Sequence, residues 1–168
     1  MEMKISIHKQ ISYKMKIIIS RVVLFFLGRG IQTLYKQDSI VKHEIMEWKE
    51  NFVIQITTQN HEVDWRLKKE NGKLVLTKLE KTIDLSISFK SIDILFKLVT
   101  GRLGVAQAYA EHRFLLKGDI KDAMSFVRVI DRTEGYLFPK FITKGILKQI
   151  PKREKSMLEI YTRVLIHT

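Results

Sequence analysis

Histidines are the side chains of this sequence best suited to hold a metal or move a proton near neutral pH, and there are five of them. His8, His43, His61, His112 and His167 never fall in H-x-x-x-H or H-x-x-E-H spacing, so no two share a helix turn as metal ligands. Serine never occurs in G-x-S-x-G, the turn that presents a nucleophile. Gly28-Arg29-Gly30 lacks the third glycine and the preceding strand that a phosphate cradle needs. The absence of cysteine removes disulfides, Fe–S clusters and thiolate zinc sites, and fits a reducing cytoplasm. Asp119 and Asp122 read as a helix cap and a first-turn acid matched to the helix dipole. No catalytic residue, metal site or cofactor is expected, and the chain reads as non-enzymatic. His112, at the mouth of a strand, is either a surface or capping histidine or a polar group that orients a ligand headgroup.

The elements that would position such groups follow from periodicity. A helix is expected over Lys9–Tyr35, with Gly28-x-Gly30 as the point where it would break. Asp38 caps a second helix carrying Ile40, Val41, Ile45 and Trp48 at helical spacing. The period then changes to two: Phe52, Ile54 and Ile56, then Val63, Trp65 and Leu67, mark two strands. Asn71-Gly72 is a preferred two-residue hairpin turn, after which Leu74 and Leu76 continue the alternation. Ile83, Leu85, Ile87 and Phe89 make a fourth strand. Ser91 then caps a helix with Ile92, Leu95, Phe96 and Val99 on one face, and Gly101 stops it. A short Ala-rich helix runs through Ala106 and Ala110, Arg113–Lys117 is a fifth strand, and Gly118-Asp119 turns it into the next helix. This order implies a single α+β domain with a five-stranded, predominantly antiparallel sheet covered by helices on one face.

The net charge of +12 is unevenly placed. Residues 1–36 carry +6, residues 140–168 carry +5, and residues 37–139 only +1. The expected organisation over 1–168 is therefore a basic helical N-terminal arm (1–36), a nearly neutral core (37–135) and basic amphipathic helices at the C-terminal end (136–168). Such arms attract a polyanion, either phospholipid headgroups or nucleic acid. Ile17–Leu27 is apolar apart from Ser20 and Arg21, shorter than the ~20 residues of a spanning helix. It reads as a helix of a cytoplasmic protein, and Gly28-Arg29-Gly30 does not fit a signal cleavage site.

An apolar helix, a Thr100-Gly101 break, a small-residue helix and a strand ending in Lys117-Gly118-Asp119 resemble, in that order and spacing, the sterol carrier protein (SCP-2-like) lipid-binding domain. The resemblance implies the same α+β fold and an apolar tunnel between sheet and helices that holds a fatty acyl or sterol-like ligand. On that reading Phe89, Phe96, Ala106, Tyr109, Ala110, Phe114 and Phe126 line the cavity, the alanines leaving space beside the rings. Aromatics at helical spacing also serve simply as core. Two positions depart from the family pattern: His112 stands where a small residue, often glycine, opens the last strand, and Leu115 stands where a polar residue is usual. Leu115 would make both faces of an edge strand apolar, so the chain ends are expected to cover it.

At the C-terminal end, Pro139 suits a first helical turn and Pro151 ends the helix. Phe138, Phe141, Ile142, Ile146 and Ile150 form one face, while Lys140, Lys144 and Lys148 recur on another, followed by Lys152 and Arg153. That helix either lies in a membrane interface, with Phe138, Lys140, Phe141, Lys144, Lys148, Lys152 and Arg153 docking on anionic lipid, or packs its apolar face on the domain. The leading reading is binding, with transfer, of a lipid or fatty acyl ligand at an anionic membrane surface. A nucleic-acid-binding module is the weaker alternative, because the arms interleave their cations with aliphatic rather than aromatic residues. An accessory domain whose cavity is filled by its own C-terminal helix is a third. The oligomeric state is left open by the sequence.

Overall fold

The computed structural model describes residues 2–78, 80–137 and 156–166, with side chains from Ser12 onward except that of Met157. The first element, α1 (Glu2–Gln37), starts before Lys9 and is one uninterrupted helix. Ser20, Leu24, Leu27, Ile31 and Leu34 recur every three or four residues and are buried, so one face of α1 belongs to the core. The break expected at Gly28-x-Gly30 does not occur, because those glycines serve close approach instead. A Cβ at Gly28 would stand 2.8 Å from Leu76 and 3.1 Å from the Trp65 ring, and one at Gly30 would stand 2.8 Å from Leu137 and 2.9 Å from Thr133. The helix thus touches the sheet and a later helix within one turn. By length and composition Ser12–Gln37 could cross a membrane, a longer stretch than Ile17–Leu27. Here its Leu24–Leu34 stripe is buried in the fold.

Asp38 does cap α2 (Ser39–Met46), accepting the Ile40 and Val41 N–H groups at 3.1 Å. Then come β1 (Val53–Thr58), β2 (Asp64–Glu70), β3 (Lys73–Thr77) and β4 (Leu85–Phe89), followed by α3 (Ile92–Val99) and α4 (Val105–Ala110). The described chain ends with β5 (Phe114–Lys117), α5 (Ile120–Leu137) and α6 (Met157–Ile166). Asn71 and Gly72 both have positive φ (51° and 66°), as a type I′ hairpin turn requires. Ser91 caps α3 through the Ile94 N–H, and Gly101, at φ 72°, ends it. The 36/37 boundary drawn from charge falls at the end of α1, and the 135/136 boundary falls inside α5.

The five strands form one sheet in the order β3-β2-β1-β4-β5, antiparallel except for the central β1–β4 pair, which is parallel. Register puts Leu67, Ile54 and Leu85 in one row across the sheet, and Trp65, Ile56, Ile87 and Leu116 in the next. These rows belong to the covered face. The other face carries Gln55, Asp64, Arg66, Ser86 and Lys117. Phe126 of α5 is fully buried between Trp48 and Trp65, with ring centroids 6.3 and 6.4 Å away. The Trp65 indole N–H, buried close to α1, has no hydrogen-bond partner.

Two buried polar ties fix the helices. Besides capping α2, the Asp38 carboxylate accepts three hydrogen bonds from Arg132 at 2.8–3.0 Å and one from the Tyr136 hydroxyl at 2.8 Å. Burial alone would push its carboxyl up, but Arg132, the Val41 N–H and Tyr136 outweigh burial and hold it below the usual range. Lys69, also buried, reaches from β2 to donate to the carbonyls of Ile45 and Met46 (3.1 Å each) and Trp48 at the C-terminal end of α2.

Candidate functional site

The inner face of the sheet is fully covered in the row of Leu67, Ile54 and Leu85 and less covered at Ile87 of β4 and Leu116 of β5. Leu85 and Ile54 are fully buried, whereas Ile87 and its register partner Leu116 are only half-buried, as are Ile94 and Leu98 of α3. Beside them Phe89 and Phe114, also register partners, bring their rings to 5.3 Å, and Tyr109 of α4 adds a third ring 5.9 Å from Phe114. Phe89 and Phe114 are buried, while Tyr109 is 55% exposed. The result is a half-open apolar surface of aliphatic and aromatic side chains along the inner face of the last two strands.

Of the seven residues expected to line a cavity, the structure gathers Phe89, Tyr109 and Phe114 at this surface. Phe126 belongs to the core, its ring packed between Trp48 and Trp65 of β2. Phe96 is half-buried with the Arg102 guanidinium 5.6 Å over its ring. Ala106 and Ala110 need correction: both are exposed, since α4 turns Ala108 inward instead. Leu115 also stays 57% exposed on the outer face of the edge strand, so none of the described residues provides the expected cover. The membrane-docking candidates Phe138, Lys140, Phe141, Lys144, Lys148, Lys152 and Arg153 lie outside the described residues, as does the Pro139–Pro151 helix.

His112 now has a physical explanation. It sits at φ 50°, the left-handed region, directly after α4, with its N–H on the Tyr109 carbonyl at 3.0 Å. A position that demands this backbone favours glycine, and histidine is among the side chains that tolerate it. Its side chain is exposed.

Sequence periodicity did not single out a second apolar feature. Val23, Phe26 and Leu27 of α1, Leu137 at the end of α5, and Tyr161, Val164 and Leu165 of α6 enclose a groove of about 290 Å³. Seeing it requires knowing that α6 packs on α1 and α5, through buried Ile160 and Val164. The other feature invisible in the sequence is Glu134, buried on α5, whose carboxyl is pushed up to about 7 by burial and by the nearby Asp131. Burial raises Asp131 as well.

The profile of the SCP-2 sterol transfer family matches residues 31–131, more than half of the chain. No curated protein matches the chain. Among solved structures, the fold is similar to a protein described as "UbiJ-SCP2 Ubiquinone synthesis protein", at 14% identity and TM-score 0.45, covering 64% of this chain and 95% of that one. It is also similar to palmitated SCP2L2 from Aedes aegypti (14% identity, TM-score 0.39, 59% of this chain and 92% of that one). The sterol carrier protein domain 2 of Helicoverpa armigera is a third (14%, TM-score 0.42, 65% and 86%).

Proposed function

The chain belongs to the SCP-2 sterol transfer family, and from that membership we propose that it binds one fatty acyl or sterol-like lipid, and transfers it, without catalysing a reaction on it. The observation that carries the reading is the family match over residues 31–131, the segment holding all five strands with α3 and α4. The half-open surface at Ile87, Leu116, Phe89, Phe114 and Tyr109 supports it. An alkyl chain brings no hydrogen-bonding group to be satisfied, so a surface of aliphatic side chains and rings suits it. Covering that surface contributes about 25 cal/mol per Å² of apolar area removed from water. The histidines whose side chains are described are on separate elements: His43 in α2, His61 in the β1–β2 turn and His112 before β5. The charge concentrated at residues 1–36 and 140–168 supports docking on an anionic membrane from the cytoplasm as the place of uptake and delivery.

Titration of a fluorescent fatty acid tests this reading. Ile87→Trp and Leu116→Trp, which fill the half-open surface, are expected to weaken binding about tenfold, or 1.4 kcal/mol. Ala106→Trp, on the exposed side of α4, is expected to bind like the parent chain. Equal binding by all three variants, with unchanged circular dichroism, would remove the sheet surface as the site.

A further inference from the structure

The groove between α1 and α6 is built by residues that all lie outside the segment 31–131 matched by the family, and so apart from the sheet surface. We propose that this groove is a second lipid site, which takes the alkyl chain of a fatty acid with its carboxylate directed toward Arg29.

The lining explains the choice of an alkyl chain. Tyr161 contributes the only side-chain hydroxyl among the groove residues, and it donates to the Leu137 carbonyl. A peptide lying in the groove would bring backbone N–H and C=O groups with no partners to meet, whereas an alkyl chain brings none. The volume of about 290 Å³ is at the lower end of the roughly 300–1,000 Å³ of small-molecule sites. At the mouth, Phe26 and Leu165 are 38% and 65% exposed, so the groove opens to the outside through apolar side chains.

Charge supplies the other half of the recognition. Arg29 is three residues from Phe26, on the next turn of the same helix. Its guanidinium lies 5.6 Å over the Phe25 ring, and that ring is 5.6 Å from the Phe26 ring. No carboxylate among the described residues pairs with Arg29. A fatty acid carboxylate at the groove mouth meets that cation, while a neutral alkane would not use it.

The site does not depend on the sheet surface, and one experiment separates the two. Methyl-labelled full-length chain is titrated with doxyl-stearate below its micellar concentration, without any bilayer, and unlabelled stearate is then added as competitor. Methyl signals of Val23, Leu27, Val164 and Leu165 are expected to broaden and to recover with the competitor. Val23→Trp and, as an exposed second variant, Leu165→Glu are expected to abolish that broadening. Arg29→Glu is expected to weaken it severalfold. Broadening at Ile87 and Leu116 with none in the groove would overturn this proposal and leave the sheet site standing. Broadening in the groove alone would sustain it and remove the sheet site. No broadening anywhere would overturn both, and would assign the groove to packing within the protein.

Discussion

Single residues hold this fold at positions where the backbone or the solvent sets the terms. Gly118 is at φ 131°, and a Cβ there would come within 2.5 Å of the Asp84 carbonyl, so the Lys117-Gly118-Asp119 turn accepts no side chain. That steric demand is why the turn was legible in the sequence. Glu134 is the opposite case, since nothing in its neighbours along the chain announces burial. Burial and the neighbouring Asp131 push its carboxyl up to about 7, against an ordinary 4.5. Between those values the folded chain holds a proton that the unfolded chain has released, so folding stability falls as pH rises through the window. Asp38 has the reverse sign: its lowered carboxyl contributes stability above its ordinary 3.8, and that stability is lost as pH falls. Glu134→Gln is expected to remove the decline between pH 4.5 and 7, worth roughly 3 kcal/mol in urea unfolding series. A variant with the parent's slope across that window would show that Glu134 is not the group responsible.

Among elements, those set by local chemistry were readable and those set by distant partners were not. The alternation of Ile54 and Ile56, or Trp65 and Leu67, together with Asn71-Gly72, fixes the β1–β2–β3 meander, because neighbouring strands pair through short connections. The parallel pairing of β1 with β4 joins residues about thirty apart, and no short-range signal encodes it. For the same reason Ala106 and Ala110 could be placed on α4 but not on a face of it. Gly28 and Gly30 looked like a helix break because their contacts, Leu76 and Leu137, come from β3 and α5. Lys69 lies in β2, yet it closes the end of α2 from across the core, which no local pattern announces. Lys69→Met keeps the apolar stem and removes the donor, leaving three carbonyls without it. Chemical denaturation is expected to show a loss of about 1–3 kcal/mol. A loss below a few tenths would mean that water replaces the ammonium there.

For the molecule as a whole, the decisive asymmetry is a near-neutral body with cationic ends. Met15, Ile18, Val22 and Phe25 form an exposed apolar stripe on the outer side of α1, within the basic N-terminal stretch. Each cation near an anionic bilayer contributes about 1 kcal/mol within a Debye length, while burial of the stripe is not screened. Co-sedimentation with anionic vesicles is therefore expected to weaken with salt but persist at high salt. Binding to DNA or RNA through the same cations would collapse far more steeply, because counterion release dominates it. Tight nucleic-acid binding without vesicle binding would reverse the proposed partner. The close seat of Gly30 against Thr133 and Leu137 also has a consequence for synthesis. The first helix leaves the ribosome with its inner stripe bare, and Leu137 follows 107 residues later. At about 5–20 residues per second, that gap lasts roughly 5–20 s. During it a helix long and apolar enough to cross a membrane is a substrate for whatever holds nascent chains, before it is part of any domain.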